Sequence, residues 1–184
     1  MPLIRPAETR DLTAITEIYA DAVVNSKATW DEVAPDLQSM TAVYAARTAA
    51  GFPYFVAEAT EGRIIGYVGG SAFHPQTGWR YAIEDSIYVA KGAQRQGIGR
   101  SLLEALIEEA TARGFRQMIA GISMPGGERS VAFHEALGFR MVGEFKDAGW
   151  KQGEWLTAVY MQRALGEGAA SAPLPPPDRA APKN

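Results

Sequence analysis

Gln94-Arg95-Gln96-Gly97-Ile98-Gly99 stands between an apolar run, Ile87-Tyr88-Val89, and a segment that carries Leu102, Leu103, Leu106 and Ile107 at helical spacing. A strand that turns through Ala90–Ala93 into a glycine-rich helix start is built to hold an anion. The first N–H groups of a helix have no partner within it, and its dipole is positive at that end. Gly97 and Gly99 remove side chains, so the backbone can come close to a phosphate. A Walker loop would require GxxxxGK[ST], and a dinucleotide fold GxGxxG with a later acidic residue. Gly97-Ile98-Gly99-Arg100-Ser101-Leu102 fits neither, since the third glycine is missing. The chemistry implied is a grip on a phosphorylated cofactor of another kind.

The elements that position this loop follow from periodicity and punctuation. Leu3–Arg5 reads as a strand, and a helix starts near Thr9–Asp11 with Leu12, Ile15, Ile18, Tyr19 and Val23 on one face. Asn25–Pro35 reads as a loop, and a second helix runs from about Asp36 to Ala50. Tyr54–Ala59 and Ile64–Phe73 form a hairpin around Glu61-Gly62, and Tyr81–Val89 is the strand that feeds the phosphate helix at about Gly97–Arg113. Gln117–Ile122 is a further strand, Ser130–Leu137 a short helix stopped by Gly138, and Phe139–Lys146 with Trp155–Gln162 a closing pair. The order βααββ–β–α–β–α–ββ predicts a single α/β (α+β) domain, over about residues 1–165, on a mixed, mainly antiparallel sheet. Gly166–Asn184, rich in Ala and Pro, is expected to be disordered.

Composition narrows the function. The chain has 184 residues and 47% hydrophobic composition, enough for one domain with a sizeable core. A formal net charge of −3 without a basic block disfavours nucleic-acid binding. Cysteine is absent, which removes disulfides, thiolate metal sites and a cysteine nucleophile. The 2 histidines, His74 and His134, make a multi-histidine metal site implausible, and no metal is expected. With neither a signal segment nor an apolar run long enough to span a membrane, the expectation is a cytoplasmic protein with no membrane partner.

Three segments carry a family resemblance. They are Glu84–Val89 with the QRQGIG loop, Ser130-Val131-Ala132-Phe133-His134-Glu135-Ala136-Leu137-Gly138-Phe139, and Gly149-Trp150-Lys151-Gln152-Gly153-Glu154-Trp155. Over roughly Leu3–Arg163 the chain resembles the GCN5-related N-acetyltransferase (GNAT) superfamily. Within it, the HExLGF and GxKxGxW segments look like the phosphinothricin and methionine-sulfoximine acetyltransferases. The resemblance implies acetyl-CoA as co-substrate and the α-amine of a small amino acid or analogue as acceptor. The narrower group has His where His134 stands. It usually has Asn where this chain has Gly127, so an amide that would meet the pantetheine arm is missing.

Acyl transfer from a thioester to an amine needs a place for CoA, a neutral amine, a polarised carbonyl and a proton for the leaving thiolate. Backbone N–H groups over Arg95, Gln96, Gly97, Ile98, Gly99 and Arg100 are expected on the pyrophosphate. The Ile87, Tyr88 and Val89 backbone is expected along the pantetheine arm, with the Val89 N–H on the carbonyl and Ser130 nearby. Packing in the core is the plain alternative for the side chains of Ile87 and Val89. Glu84 is the candidate base, acting directly or through water, and Asp85 is second. Strand alternation puts Glu84, Ser86 and Tyr88 on one face and Asp85, Ile87 and Val89 on the other. His134 is the candidate proton donor or a pantetheine contact, against the alternative of a satisfied core histidine. His74, before Pro75 in a turn, reads as structural or exposed. Arg80, beside Trp79 and Tyr81, is expected to bind a substrate carboxylate, and Trp30 to wall the pocket. Core or interface packing is the alternative for Trp30, Trp79 and Tyr81. Trp150, Lys151 and Trp155 read as an apolar, basic loop at a homodimer interface. Two rival functions stay open: acetylation of a polyamine, aminoglycoside or protein amine, and a non-catalytic acyl-CoA sensor.

Overall fold

A computed structural model describes residues 2–173. Seven strands form one sheet in the order β1-β2-β3-β4-β5-β7-β6. They are β1 Leu3–Pro6, β2 Tyr54–Glu58, β3 Ile64–Ala72, β4 Ala82–Val89, β5 Gln117–Met124, β6 Arg140–Lys151 and β7 Glu154–Ala164. Four helices complete it: α1 Leu12–Asn25, α2 Leu37–Ala49, α3 Ile98–Ala112 and α4 Glu128–Glu135. All neighbouring strands run antiparallel except β4 and β5.

Strand alternation divides the core in two. Ala57, Val68, Ile83, Met118 and Met161 pack with Leu102, Leu103, Leu106 and Ala110 of α3. Val56, Tyr54 and Tyr67 turn the other way, toward Leu12 and Ile15 of α1 and Met40 of α2. Each fully buried leucine of α3 contributes roughly 2 kcal/mol of transfer free energy, which fixes that helix, and with it the phosphate loop, against β3 and β4. The helix starts have local causes. Asp36 accepts the Ser39 N–H at 2.8 Å to cap α2. Asp11 is buried beneath Arg5, 2.7 Å away, and closes a capping box with Glu8.

Three elements differ from expectation. The segment Gly149–Trp155 is the end of a long β6–β7 hairpin, with Trp150 paired to Trp155 and Lys151 to Glu154, instead of a loop. Glycine and polar residues hid its strand character; β5 holds β7 over Thr157–Ala164, and the hairpin tip is closed by β6 alone, from Gly149 against Leu156 to Lys151 against Glu154. Residues 166–173, assigned to a disordered tail, are placed as turns, and the Arg116 guanidinium donates to Ser171 Oγ at 2.8 Å. The rest of the tail, 174–184, lies outside the described residues. Helix α4 begins at Glu128, two residues before Ser130.

Candidate active site

The parallel pairing of β4 with β5 ends almost at once. It joins Ala82 to Gln117, Ile83 to Met118 and Glu84 to Ile119, and no register continues beyond. Each strand runs on for five residues, to Val89 and Met124. The Ala90 N–H donates to Ile65 O at 2.9 Å. Backbone direction alternates along an antiparallel ladder, so Ile87 and Val89 turn their N–H and C=O groups toward the gap. Tyr88 turns its own toward β3. Its ring lies in the core, stacked on Tyr67 at 5.5 Å and edge-on to Tyr19 at 5.1 Å. The Val89 carbonyl accepts from Gln94 Nε2 at 3.4 Å. The other backbone groups that face the gap require a partner, and this gap is a slot for an extended, amide-bearing chain.

The phosphate loop stands at the outer end of β4. Arg95 and Gly97 adopt left-handed backbone, φ 64° and 81°, and Gly97 is the N-cap of α3. Arg95, Gln96 and Gly97 are exposed, whereas Ile98 is buried under β3 and offers only its backbone. Arg100 forms an exposed ion pair with Glu104 at 3.2 Å. Gly99 lies against Phe133 of α4.

Glu84 and Asp85 sit on opposite faces, as alternation required. The Glu84 carboxylate makes no hydrogen bond or ion pair among the described residues. Burial, and then the Asp85 charge, push its pKa up to about 6. Gly121 of β5 leaves room beside it; a Cβ there would stand 3.2 Å from Glu84 Oε1 and 3.5 Å from the Tyr160 ring. Asp85 is buried on the α4 side, with Oδ2 3.3 Å from His134 Nε2 and Oδ1 lacking any partner among the described residues. His134 Nδ1 is 2.7 Å from the Ser130 carbonyl oxygen. Burial opposes the imidazolium, but the Asp85 hydrogen bond and charge outweigh it and hold His134 above the ordinary imidazole range. His134 is 2% exposed, a packed residue at the edge of the gap with both ring nitrogens engaged. Ser130 also places Oγ 3.4 Å from the same ring.

Glu84, Asp85 and His134 line one cavity of about 740 Å³, with Tyr19, Lys27, Trp30 and Arg47 on its walls. The segment after α1 crosses this cavity and is tied on three sides. Ser123 Oγ donates to the Lys27 carbonyl. Lys151 Nζ donates to Thr29 O at 2.8 Å, and Gln152 donates to Val24 O and Ser26 O. Trp30 lies so close over Gly149 that a Cβ there would collide with its ring. Lys151 is therefore internal, 2% exposed, with its ammonium lowered in pKa by burial against the opposing charges of Asp31 and Glu32.

Arg80 and Tyr81 stand apart. Arg80 closes the 3-10 turn Thr77–Trp79 that precedes β4 at the end opposite the gap, and its guanidinium donates to Thr77 O at 3.0 Å and lies 4.8 Å over the Tyr81 ring. Tyr81 borders a second cavity of about 380 Å³, with Phe73, Trp79 and Tyr160. His74 is exposed beside Trp79. Sequence reading missed Arg47, Lys27 and Gly121. Lys27 is paired with Glu154. Arg47, at the end of α2, reaches the cavity because α2 packs against Tyr54 of β2, and nothing local marks it. Gly127 answers the question of the missing amide, since a Cβ there would collide with Ser123 O and Ile122.

This slot, with an anion loop at one end and a buried carboxylate at the other, has a counterpart in known proteins. The family pattern of the acetyltransferase (GNAT) domain matches residues 4–159. The chain belongs to that family. It is 39% identical over 162 residues to an L-methionine sulfoximine/L-methionine sulfone acetyltransferase of Pseudomonas paraeruginosa, covering 88% of this chain and 94% of that one. It superimposes with a TM-score of 0.93, at 42% identity and 100% and 99% coverage, on a GNAT superfamily phosphinothricin acetyltransferase from Sinorhizobium meliloti in complex with acetyl-CoA. A ribosomal-protein-alanine N-acetyltransferase from Brucella melitensis matches with a TM-score of 0.85 and 44% identity, over 89% of this chain and 99% of that one. The chain is an acetyltransferase of this family, in agreement with the three sequence segments that resembled it.

Proposed function

We propose that the protein is an acetyl-CoA-dependent N-acetyltransferase for the α-amine of a small amino acid or analogue, of the phosphinothricin or methionine sulfoximine or sulfone type. The observation that carries this reading is the unpaired stretch of β4 and β5, which ends at the α3 N-terminus on one side and at Glu84 on the other. The slot fits acetyl-CoA: donors over Arg95–Arg100 for its pyrophosphate, backbone at Ile87 and Val89 for its amides, and the orphaned Asp85 Oδ1 as a further acceptor beside Ser130. Bound there, it supplies the acetyl thioester. The Ile87 N–H polarises the carbonyl, in place of the Val89 N–H, which lies five strand residues, about 16 Å, from Glu84. Glu84 takes the amine proton directly or through water. A peptide α-ammonium titrates at about 7.7–8.0 and that of a free amino acid higher, so raising the carboxylate to about 6 narrows the gap that general-base removal of the proton must cross. His134, held between Asp85 and Ser130, orders the α4 side of the slot and is the nearest reserve of a proton for the thiolate. Without a cysteine, the amine attacks directly.

The protein acts as a homodimer in the cytoplasm, where acetyl-CoA is available. Support for the dimer is the β6 edge, on which Met141, Val142, Phe145 and Trp150 are exposed, with Trp155 exposed beside it on β7. A second reading, acetylation of a protein N-terminal amine, draws on the likeness to the Brucella melitensis chain. The tied-down crossing over the cavity favours the small substrate. Thiol release from acetyl-CoA should appear with an α-amino acid, a sulfoximine or a phosphinic analogue. Release with alanine-starting peptides and with no free amino acid would transfer the reading to protein amines. Acetyl-CoA binding without turnover on any amine would make the protein a sensor.

A further inference from the structure

Among the described residues, the cavity beside Glu84 has one cation with no anionic partner. Lys27 is paired with Glu154 and Lys151 is buried under Thr29, whereas Arg47 makes a single hydrogen bond, from Nη1 to Tyr54 Oη at 2.8 Å. That bond is itself built. Tyr54 of β2 is buried and lies over Gly69 of β3, where any side chain would collide with its ring. Gly69 pairs with Ser86, and the next residue on the same face, Ser71, pairs with Glu84. The phenol thus anchors the guanidinium one residue pair along the sheet from the candidate base, on the same face, and leaves Nε and Nη2 without a partner among the described residues. A half-buried guanidinium with a fixed stem and free donors is a receptor for a carboxylate.

We propose that Arg47 binds the α-carboxylate of the substrate while Glu84 receives its amine, so that the cavity selects zwitterionic α-amino acids over amines that lack the acid. This rests on the acetyltransferase reading above and assigns to Arg47 the role that sequence reasoning gave to Arg80. The two charges of an α-amino acid lie on adjacent atoms of one carbon skeleton, and the cavity offers one free carboxylate and one free guanidinium on one face of the sheet. A polyamine would present a second cation to Arg47 and be repelled.

The test compares kcat/KM for an accepted amino acid, its amide and its decarboxylated amine. The wild-type chain should prefer the free acid. R47Q should lose about 100-fold on the acid, mostly through KM, and less than about 3-fold on the amide. Arg47→Lys should recover part of the loss, since the charge returns without the fork. Tyr54→Phe should raise KM for the acid by a smaller factor. Arg80→Gln should leave the acid-to-amide ratio unchanged. Calorimetric binding of acetyl-CoA to each variant reports an intact fold. Equal losses on acid and amide in R47Q would overturn the proposal. So would a wild-type enzyme that acetylates amides and acids alike, although the acetyltransferase reading would survive. A chain that acetylates nothing would overturn both.

Discussion

Asp85 Oδ2 lies 3.3 Å from His134 Nε2, and the pair joins β4 to α4 across the mouth of the slot. Because Nδ1 donates to the Ser130 carbonyl, the proton on the Asp85 side is the one that titrates. The raised pKa of His134 gives stability that is fully present below the ordinary imidazole value, about 6.5, and lost as pH rises through the folded value.

Asp85→Asn should therefore lower the melting temperature at pH 6, where His134 is protonated, and lower it by less at pH 9. The His134 titration, followed by NMR, should move down. A loss of melting temperature that is the same at both pH values would show that the pair acts by packing alone.

Glu84 makes the opposite contribution. Its folded pKa of about 6 lies above the ordinary 4.5, so its ionisation costs stability as pH rises between those values. That cost is about 2 kcal/mol above pH 6. Glu84→Gln should raise the melting temperature at pH 7.5, with no gain at pH 4, and lower kcat by about 100-fold or more. The wild-type kcat/KM should rise with pH on an acid limb near 6 that the variant lacks. An unchanged kcat would remove Glu84 as the base.

Gly121 keeps the approach to Glu84 open. Gly121→Val places branched carbons where a single Cβ already stands 3.2 Å from Oε1. Activity should fall at least 10-fold with acetyl-CoA affinity unchanged. An equal loss of cofactor binding would mean that the strand itself had been displaced.

The parts of the site that sequence made legible were those written in adjacent residues. The turn from Val89 to Ile98 announces itself through its glycines, and alternation along β4 separates Glu84 from Asp85 before the fold is known. Arg47 gives no such sign, because its place depends on α2 packing against Tyr54 of β2. Arg80 is near Glu84 in sequence, but it closes a 3-10 turn ahead of β4 and does not line the cavity that holds Glu84. The GxKxGxW segment reads in sequence as an apolar, basic loop at a homodimer interface because of its tryptophans. In the fold, the strand pair carries Lys151 beneath the segment that follows α1. Gly127 shows the limit from another side, since only the approach of Ser123 O explains a glycine there.

Lys151 should prove a structural tie. Its ammonium reaches Thr29 O at 2.8 Å, and the same stretch carries Trp30 over Gly149. Lys151→Met keeps the stem and removes the donor. The melting temperature should fall by a few degrees, as expected for about 1–2 kcal/mol in a chain of this size. Substrate KM should rise more than acetyl-CoA Kd, because the strap borders the amine end of the cavity. A selective loss of acetyl-CoA binding would contradict this arrangement.

The β6 edge supplies the last prediction. Met141, Val142 and Phe145 are each at least half exposed, and Trp150 and Trp155 stack edge to face at 5.2 Å on the same hairpin. An edge strand of 12 residues with this much apolar surface invites association. Phe145→Glu adds a charge where a second copy would have to pack, while the side chain it replaces is 63% exposed and contributes little to the protomer. Sedimentation velocity should show a dimer for the wild-type chain and a shift toward monomer for the variant, at an unchanged monomer melting profile. A monomeric wild-type chain at micromolar concentration would remove the homodimer, and the exposed aromatics would then belong to the monomer surface.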